Sequence, residues 1–488
     1  MKRFLACFVA MLVASVEAAV VLPAIFSDHA VLARKAKVPV FGKAIPGEKV
    51  VVTFNGQTRE TVAGKNGKWR VDLNLADSPE GPFELKVNNI VIKDVIVGEV
   101  WLCSGQSNMA YGMGGSAGYK EECAKPVRKR LRNFRVKHTS SKVPLEDVPG
   151  RWQYASKGSL VSFSGVGYFF GEKLLLELDR PVGLILAAWG GTNINAWMNW
   201  ESISKVPTAL ARAKAKDAKK IPAREKVKPT RLYNGMIMPI VPYALSGVIW
   251  YQGERNSHNP HDYAALTRAM VTDWRKIFEF PEMPFYWCNL AAYREKNADP
   301  NVTSRWEIIR EQQTLALDLP FTGQAILTDA GEARNIHPTD KKTPGHRLAA
   351  IALANVYGRK IPFAGPTATG VKREGNKLII SFSNIHGGLV AAAVPETYVV
   401  DSRAKTKIKK APLKRNSPET QLEGFAICGK DGKFYWAKSA VIVGDTVVVS
   451  APQVAEPVEV RCAWQQNPTC NLYNKAGFPV VPFRLKVR

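Results

Sequence analysis

The pattern of apolar residues along the 488-residue chain predicts an α/β fold in which a helix-covered parallel sheet is flanked by a β-rich segment at each end. Three observations carry that expectation. From Gly98 to about Pro362, short apolar runs alternate with longer stretches of helical period, the rhythm of a mostly parallel sheet covered on both faces. From Val20 to Val97 the runs are short and β-rich, separated by Gly, Pro, Asn and Asp turns. After Pro362 short β runs return with no further helical period. The chain is too long for one ordinary core. The expected division is a leader over 1–18, an N-terminal β domain over 19–97, an α/β domain over 98–361 and a C-terminal β domain over 362–488.

Each element has its own signal. Lys2 and Arg3, a mostly apolar run from Phe4 to Val16 and small residues around Ala18 have the layout of a cleavable secretory signal, so the mature chain is expected to be secreted or periplasmic. No later run reaches the roughly 18 apolar residues of a membrane span. Strands are expected at Val38–Phe41, Lys49–Phe54, Trp69–Leu73 and Phe83–Val87, as in a small β-sandwich. The central strands are expected at Glu99–Cys103, Val182–Ala188, Gly247–Trp250, Phe285–Leu290 and Gln324–Thr328. Helices are expected at Gly165–Leu178, Asp262–Phe278, Ser304–Leu317 and Pro344–Tyr357. The closing β runs are Lys377–Phe382, Val441–Val449 and Val458–Cys462.

The formal net charge is +26, which favours polyanionic surroundings such as acidic glycans. The densest basic block, Lys205 to Arg231, mixes Lys and Arg with Ala and Pro and reads as a solvated helix or linker. It has no aromatic interleaving and makes a poor nucleic-acid platform, so no nucleic-acid partner is expected. Cys103, Cys123, Cys288, Cys428, Cys462 and Cys470 follow the leader. Cys462 and Cys470 flank a turn-like Asn467-Pro468 and are spaced for a local disulfide, with buried thiols as the alternative. No CxxC occurs, and His258 and His261 lack a third-ligand spacing, so neither a metal nor an organic cofactor is expected.

The chemistry-bearing residues fall where central strands end. They are Gly105-Gln106-Ser107-Asn108, Trp189-Gly190-Gly191-Thr192-Asn193, Tyr251-Gln252-Gly253-Glu254-Arg255-Asn256, Asp329-Ala330-Gly331 and Asn335-Ile336-His337-Pro338. In an open α/β sheet those ends build one crevice. Acyl transfer needs a nucleophile, a base for its proton and donors for the oxyanion, and this set supplies all three. A lone Gly-x-Ser turn more often caps a helix. The order, serine after the first α/β strand and histidine after the last, raises it above that. Glu254 and Asp329 could instead be read as a glycosidase pair, but nothing else in the sequence supports an oxocarbenium site. Trp189, Trp197, Trp200, Trp250 and Tyr251 crowd the crevice, where one or two could stack on a sugar face.

On these words the chain resembles the sialate O-acetylesterase group of the SGNH (GDSL-like) hydrolases. The resemblance rests on Gly98–Met109, Trp189–Thr192, Leu232–Met236, Trp250–Glu254 and Ile336–Pro338, in that order. Leu22–His29 at the start, with Asn471–Asn474 and Pro482–Arg484 near the end, extends it over almost the whole mature chain. It implies a flavodoxin-like sheet, flanked here by the two β-sandwich-like domains, and removal of acetyl groups from sugar hydroxyls. It also implies Ser107 as nucleophile and His337 as general base, acting through an acetyl-enzyme. The oxyanion donors it suggests are the Ser107 and Gly191 N–H groups and the Gln252 amide. Two departures stand out. Where many relatives carry Asp two residues before the histidine, this chain has Asn335, leaving either Asp329 as the triad acid or a backbone carbonyl near Asn335 orienting a Ser-His dyad. Arg255 stands where a small residue is more usual; it could reach an acidic sugar or simply pair with a carboxylate such as Glu254. Arg255, Trp189 and Asn256 are thus the expected substrate contacts. O-acetylated sialic acid is the implied substrate, acetylated xylan the second, and a non-catalytic basic glycan-binding protein the alternative of another class.

Overall fold

The structure, a computed structural model, describes residues 20–218, 226–392 and 421–487. The expected leader and residues 219–225 of the basic block lie outside the described residues. The fold is organised on one long strand, β1 (Ile90–Gly105). Its first half pairs with Phe83–Val87 in the N-terminal β region, and its second half is the centre of the α/β sheet. Gly98, where the rhythm of the sequence changes, lies inside this strand.

The α/β sheet continues with β2 (Arg128–Arg135), β3 (Trp152–Ala155), β4 (Val182–Ala188), β5 (Gly247–Tyr251), β6 (Phe285–Cys288) and β7 (Thr322–Ala325). Their order is β7-β6-β5-β1-β4-β2-β3, parallel throughout except for the edge pair β2–β3. From β1 the chain builds one side of the sheet and then the other. The carboxyl end of β1, between those of β4 and β5, is therefore the switch point at which such sheets open a crevice.

Period-two alternation assigns each strand residue to one of two cores. Val100, Leu102, Ile185, Val248 and Trp250 face the side of α2 (Tyr263–Ile277), packing with Leu266, Met270 and Trp274. Trp101, Cys103, Leu184, Leu186 and Ile249 face α1 (Gly165–Leu178) and α4 (Lys342–Asn355), packing with Phe170, Leu174, Leu348 and Ile351. The capping chemistry sets the helix ends. Ser164 Oγ accepts from the Gly167 N–H at 3.0 Å to start α1, which stops at Asp179 in the left-handed region. A reciprocal Ser304–Glu307 capping box starts α3 (Arg305–Leu315).

The expected α/β fold with flanking β domains is thus observed. Strands β2 and β3 were not expected. The sequence Arg-Lys-Arg-Leu-Arg-Asn-Phe-Arg shows no apolar strand run, but its arginines are answered across the fold: Arg128 by Glu172, Arg130 by Asp179 and Glu80, Arg132 by Asp94. Val441–Val449 is not one strand. Gly444, at φ +57°, turns it into a hairpin of Ser439–Val443 and Thr446–Ser450. That hairpin, with Thr367–Glu374 and Lys377–Ser383, packs against a second sheet of Phe425–Cys428, Phe434–Trp436, Glu459–Cys462 and Phe483–Lys486. Cys462 and Cys470 lie side by side in that core, their sulfurs 3.7 Å apart. The Lys205–Arg231 block contributes a helix at Pro207–Ala218. Among the described residues no helix is long and apolar enough to cross a membrane.

Candidate functional site

The turn after β1 presents Ser107. Gly105 ends the strand at φ +130°, and a Cβ there would lie 2.3 Å from the Tyr251 carbonyl oxygen, so only glycine fits between β1 and β5. The Gln106 N–H donates to the Tyr251 carbonyl at 2.9 Å, and Ser107 opens a single helical turn, Ser107–Ala110. The loop after β4 closes on it from the other side: a Cβ on Gly190 would lie 3.2 Å from Ser107 Cβ. Among the described residues neither the Ser107 nor the Gly191 N–H donates to another backbone group.

Gln252 is placed differently from the sequence expectation. Its side-chain N–H₂ faces the Asn256 Oδ1 (2.8 Å), the Gln106 Oε1 (3.1 Å) and the Thr192 carbonyl (3.1 Å). Its Oε1 accepts from the Tyr263 hydroxyl at 2.7 Å, and the residue is fully buried. With every donor engaged, Gln252 braces the three strand ends against one another rather than offering an amide to substrate.

His337 is half-buried in the loop after β7, its ring 6.3 Å from that of Tyr111. Asn335 holds this loop by its side chain. Its Oδ1 accepts the His337 N–H at 2.9 Å while its Nδ2 donates to Glu332 at 3.0 Å. Glu332, itself buried, also takes the Thr339 N–H and hydroxyl at 2.6 and 2.8 Å. Asn335 therefore acts on the backbone of His337. Among the described residues neither ring nitrogen has a hydrogen-bond partner, including the backbone carbonyl anticipated near Asn335. Burial and then the nearby Lys341 ammonium hold the imidazole below its ordinary pKa of 6.5.

The serine turn and the histidine loop are tied together by Asn108. Its Nδ2 donates to the Ile336 carbonyl at 3.0 Å and to Glu254 Oε1 at 2.6 Å, and its Oδ1 accepts from Lys341 Nζ at 2.7 Å. All three side chains are buried. Burial raises the Glu254 carboxyl and pushes the Lys341 ammonium down to about 8. Neighbours of Ser107 and of His337 thus share one side chain, and the pair of buried charges clamps it from both ends.

Asp329 is not brought to His337. Both its oxygens meet Arg347, at 2.6 and 2.7 Å, and Oδ2 also accepts the Tyr473 hydroxyl at 2.9 Å. Burial alone would raise this carboxyl, but Arg347 and Tyr473 more than offset it and hold it below its ordinary value. Asp329 thus anchors α4 and the C-terminal β region to the end of the sheet. Nor do Glu254 and Asp329 form a glycosidase pair. One binds Asn108 and the other Arg347, and neither presents a carboxyl to open space.

Of the expected substrate contacts, Asn256 accepts the Ile194 N–H at 2.9 Å, which points its amide N–H₂ toward a cavity. Arg255 is exposed on the same cavity, and among the described residues it pairs with no carboxylate, Glu254 included. Trp189 is half-buried. One face stacks on His138, with centroids 4.4 Å apart, and Lys226 Nζ lies 5.3 Å from its centroid. Trp197, Trp250 and Tyr251 are core residues. Sequence reasoning missed Lys341, Glu332 and the bracing role of Gln106. A lysine in Thr-Asp-Lys-Lys reads as solvated, and nothing local marks it as buried. Asn108 carried a signal, standing beside the serine, but its partners Glu254, Ile336 and Lys341 are 146, 228 and 233 residues away.

Three comparisons bear on this geometry. The family model described as carbohydrate esterase, sialic acid-specific acetylesterase, matches residues 97–354, the stretch that spans the sheet, the serine turn and the histidine loop. The sialate O-acetylesterases of Homo sapiens and Pongo abelii are each 28% identical over 431 residues, covering 80% of this chain and 81% of theirs. The crystal structure of a carbohydrate acetylesterase from Xanthomonas citri superposes with a TM-score of 0.84 at 32% identity, covering 96% of this chain and 99% of that one.

Proposed function

The chain belongs to the family of carbohydrate esterases described as sialic acid-specific acetylesterases, and we propose that it is an exported enzyme that removes O-acetyl groups from sialic acids through an acetyl-Ser107 intermediate. As a family member it is a serine-type carboxylic ester hydrolase. In the proposed reaction Ser107 Oγ attacks the acetyl carbonyl as His337 takes its proton. The tetrahedral oxygen settles between the Ser107 and Gly191 N–H groups. His337 then protonates the departing sugar oxygen and afterwards activates the water that releases acetate. Because Asp329 is held by Arg347, His337 works as the base of a dyad, positioned by its loop rather than by a carboxylate. A depressed imidazole pKa suits that role, since the ring stays neutral and able to accept a proton at mildly acid pH.

The observation that carries the proposal is the Asn108 hydrogen bond to the Ile336 carbonyl, which supports a shared register for Ser107 and His337 across 228 residues of sequence. The leader-like residues 1–18 support export. The test is acetate release from a panel of O-acetylated sialosides and acetylated xylo-oligosaccharides, with Ser107→Ala alongside. Release from the sialosides that vanishes in the variant is expected. Release from xylan alone would replace the substrate, and no release from any ester would leave only glycan binding.

A further inference from the structure

We propose that the cavity walled by Arg212, Lys216 and Arg255 is a subsite for the carboxylate of an acetylated acidic sugar. The inference rests on the reading of Ser107 as the nucleophile of a sugar deacetylase and names the feature by which that site would select its substrate. The cavity has a volume of about 170 Å³, room for a charged group and adjoining ring atoms but not for an oligosaccharide. Its walls come from the helix Pro207–Ala218, the loop after β4 and the loop after β5.

Three cations meet there without three carboxylates. Arg212 is paired with Asp262. The acid on that helix, Asp217, is taken by Arg231 at 2.9 Å. Lys216 and Arg255 have no carboxylate partner among the described residues, and they are close enough to repel. Burial first, then the Arg255 charge, pushes the Lys216 ammonium down to about 8. Holding two like charges together in a partly desolvated cavity is unfavourable unless an anion completes the set. The rest of the lining is also suited to a sugar. Asn256 turns its N–H₂ toward the space, because its Oδ1 is occupied by Gln252 and the Ile194 N–H. Asn193 Oδ1 is buried with no hydrogen-bond partner. A carboxylate between the cations, with ring hydroxyls on these amides, would satisfy both groups.

The cavity is also mechanically part of the site. The Arg255 N–H donates to Gln106 Oε1 at 3.3 Å, and Gln106 precedes the nucleophile. An acid group seated here would therefore be registered against the serine turn through a single side chain.

The experiment compares an O-acetylated sialoside with its carboxylate methyl ester, at low and high salt, for the wild-type chain and for Lys216→Met/Arg255→Met. The expected result is a kcat/KM at least about tenfold higher for the free acid, the scale of a hydrogen bond to a charged group. That preference should shrink with salt and fall to about one in the double variant. Equal rates for acid and ester in the wild type, or a preference that survives in the double variant, would overturn the subsite while leaving the esterase reading intact. If no ester is turned over, the esterase reading fails, and the subsite is judged by calorimetric titration of Ser107→Ala with N-acetylneuraminate and its methyl ester. Saturable binding of the acid alone, lost when Lys216→Gln and Arg255→Gln are added, supports it; no binding, or equal binding of both, overturns it.

Discussion

Asp329→Asn separates the two accounts of His337 most sharply, because they place its cost in different observables. In the structure the carboxylate closes a two-pronged pair with Arg347, the two side chains being 11% and 13% exposed, and it also takes the Tyr473 hydroxyl. Removing one partner of such a pair leaves an uncompensated buried charge, which costs about 3–5 kcal/mol. The amide keeps one acceptor oxygen, so the lower end, about 3 kcal/mol, applies. Among the described residues Asp329 makes no hydrogen bond or ion pair with His337, so kcat of the folded variant should stay within about tenfold of wild type. A true triad acid replaced by its amide loses about ten-thousand-fold. Urea unfolding followed by tryptophan fluorescence measures the first quantity, and initial-rate acetate release at a temperature where the variant is fully folded measures the second. A variant of normal stability whose kcat collapses a thousandfold or more would refute the dyad. There is a corollary in pH. The folded carboxyl lies below its ordinary value, so its contribution to stability is complete above the unfolded pKa of about 3.8 and is lost as pH falls through the folded one. Asp329→Asn should flatten that acid limb.

Other consequences follow from the same contacts. Asn108→Ala removes the link between the serine turn and the histidine loop and strands Glu254 and Lys341, so it should lower stability by about 1.5–3 kcal/mol and kcat by at least about tenfold; normal values for both would contradict the clamp. His337 is held below 6.5 by burial and Lys341, so the acid limb of the kcat/KM profile should have its midpoint below 6.5 and move upward in Lys341→Met. A midpoint at or above 6.5 in the wild type would contradict that assignment. Gly105→Ala forces a Cβ against the Tyr251 carbonyl, and its thermal midpoint should fall by several degrees with loss of activity. After oxidative refolding, peptide mapping without reductant should find Cys462 joined to Cys470, whose sulfurs already touch, while the fully buried Cys103 and Cys288 stay unmodified by alkylating reagent until the chain unfolds.

The fold was largely legible because its signals are local. Strands β4 and β5 and helix α1 are apolar runs of the right period with turn or capping residues at their ends, and the structure draws them within a residue or so of the expected bounds. β2 was hidden because a strand with arginine at alternate positions, Arg128, Arg130 and Arg132, carries no hydrophobic signature; its carboxylate partners Glu172, Asp179 and Asp94 arrive from elsewhere. The site divides along the same line. Ser107 and His337 stand out by their place at strand ends. Whether Gln252 faces substrate or braces the loops depends on Asn256, Gln106 and Tyr263 meeting around it, and that is a property of packing. In sequence Asp329 could be the triad acid or leave that place to a backbone carbonyl near Asn335. What decides its position is Arg347 on α4 and Tyr473 in the C-terminal β region.

The central claim is that Ser107 carries the acetyl group. Acid-quenching the enzyme within milliseconds of mixing with an activated acetyl ester, followed by peptide mass analysis, tests it most directly. The account predicts one acetyl group on the peptide containing Ser107, absent from Ser107→Ala, which should also lose roughly a million-fold in turnover. Steady acetate release with that peptide never acetylated, or a Ser107→Ala chain that still turns over, would contradict it.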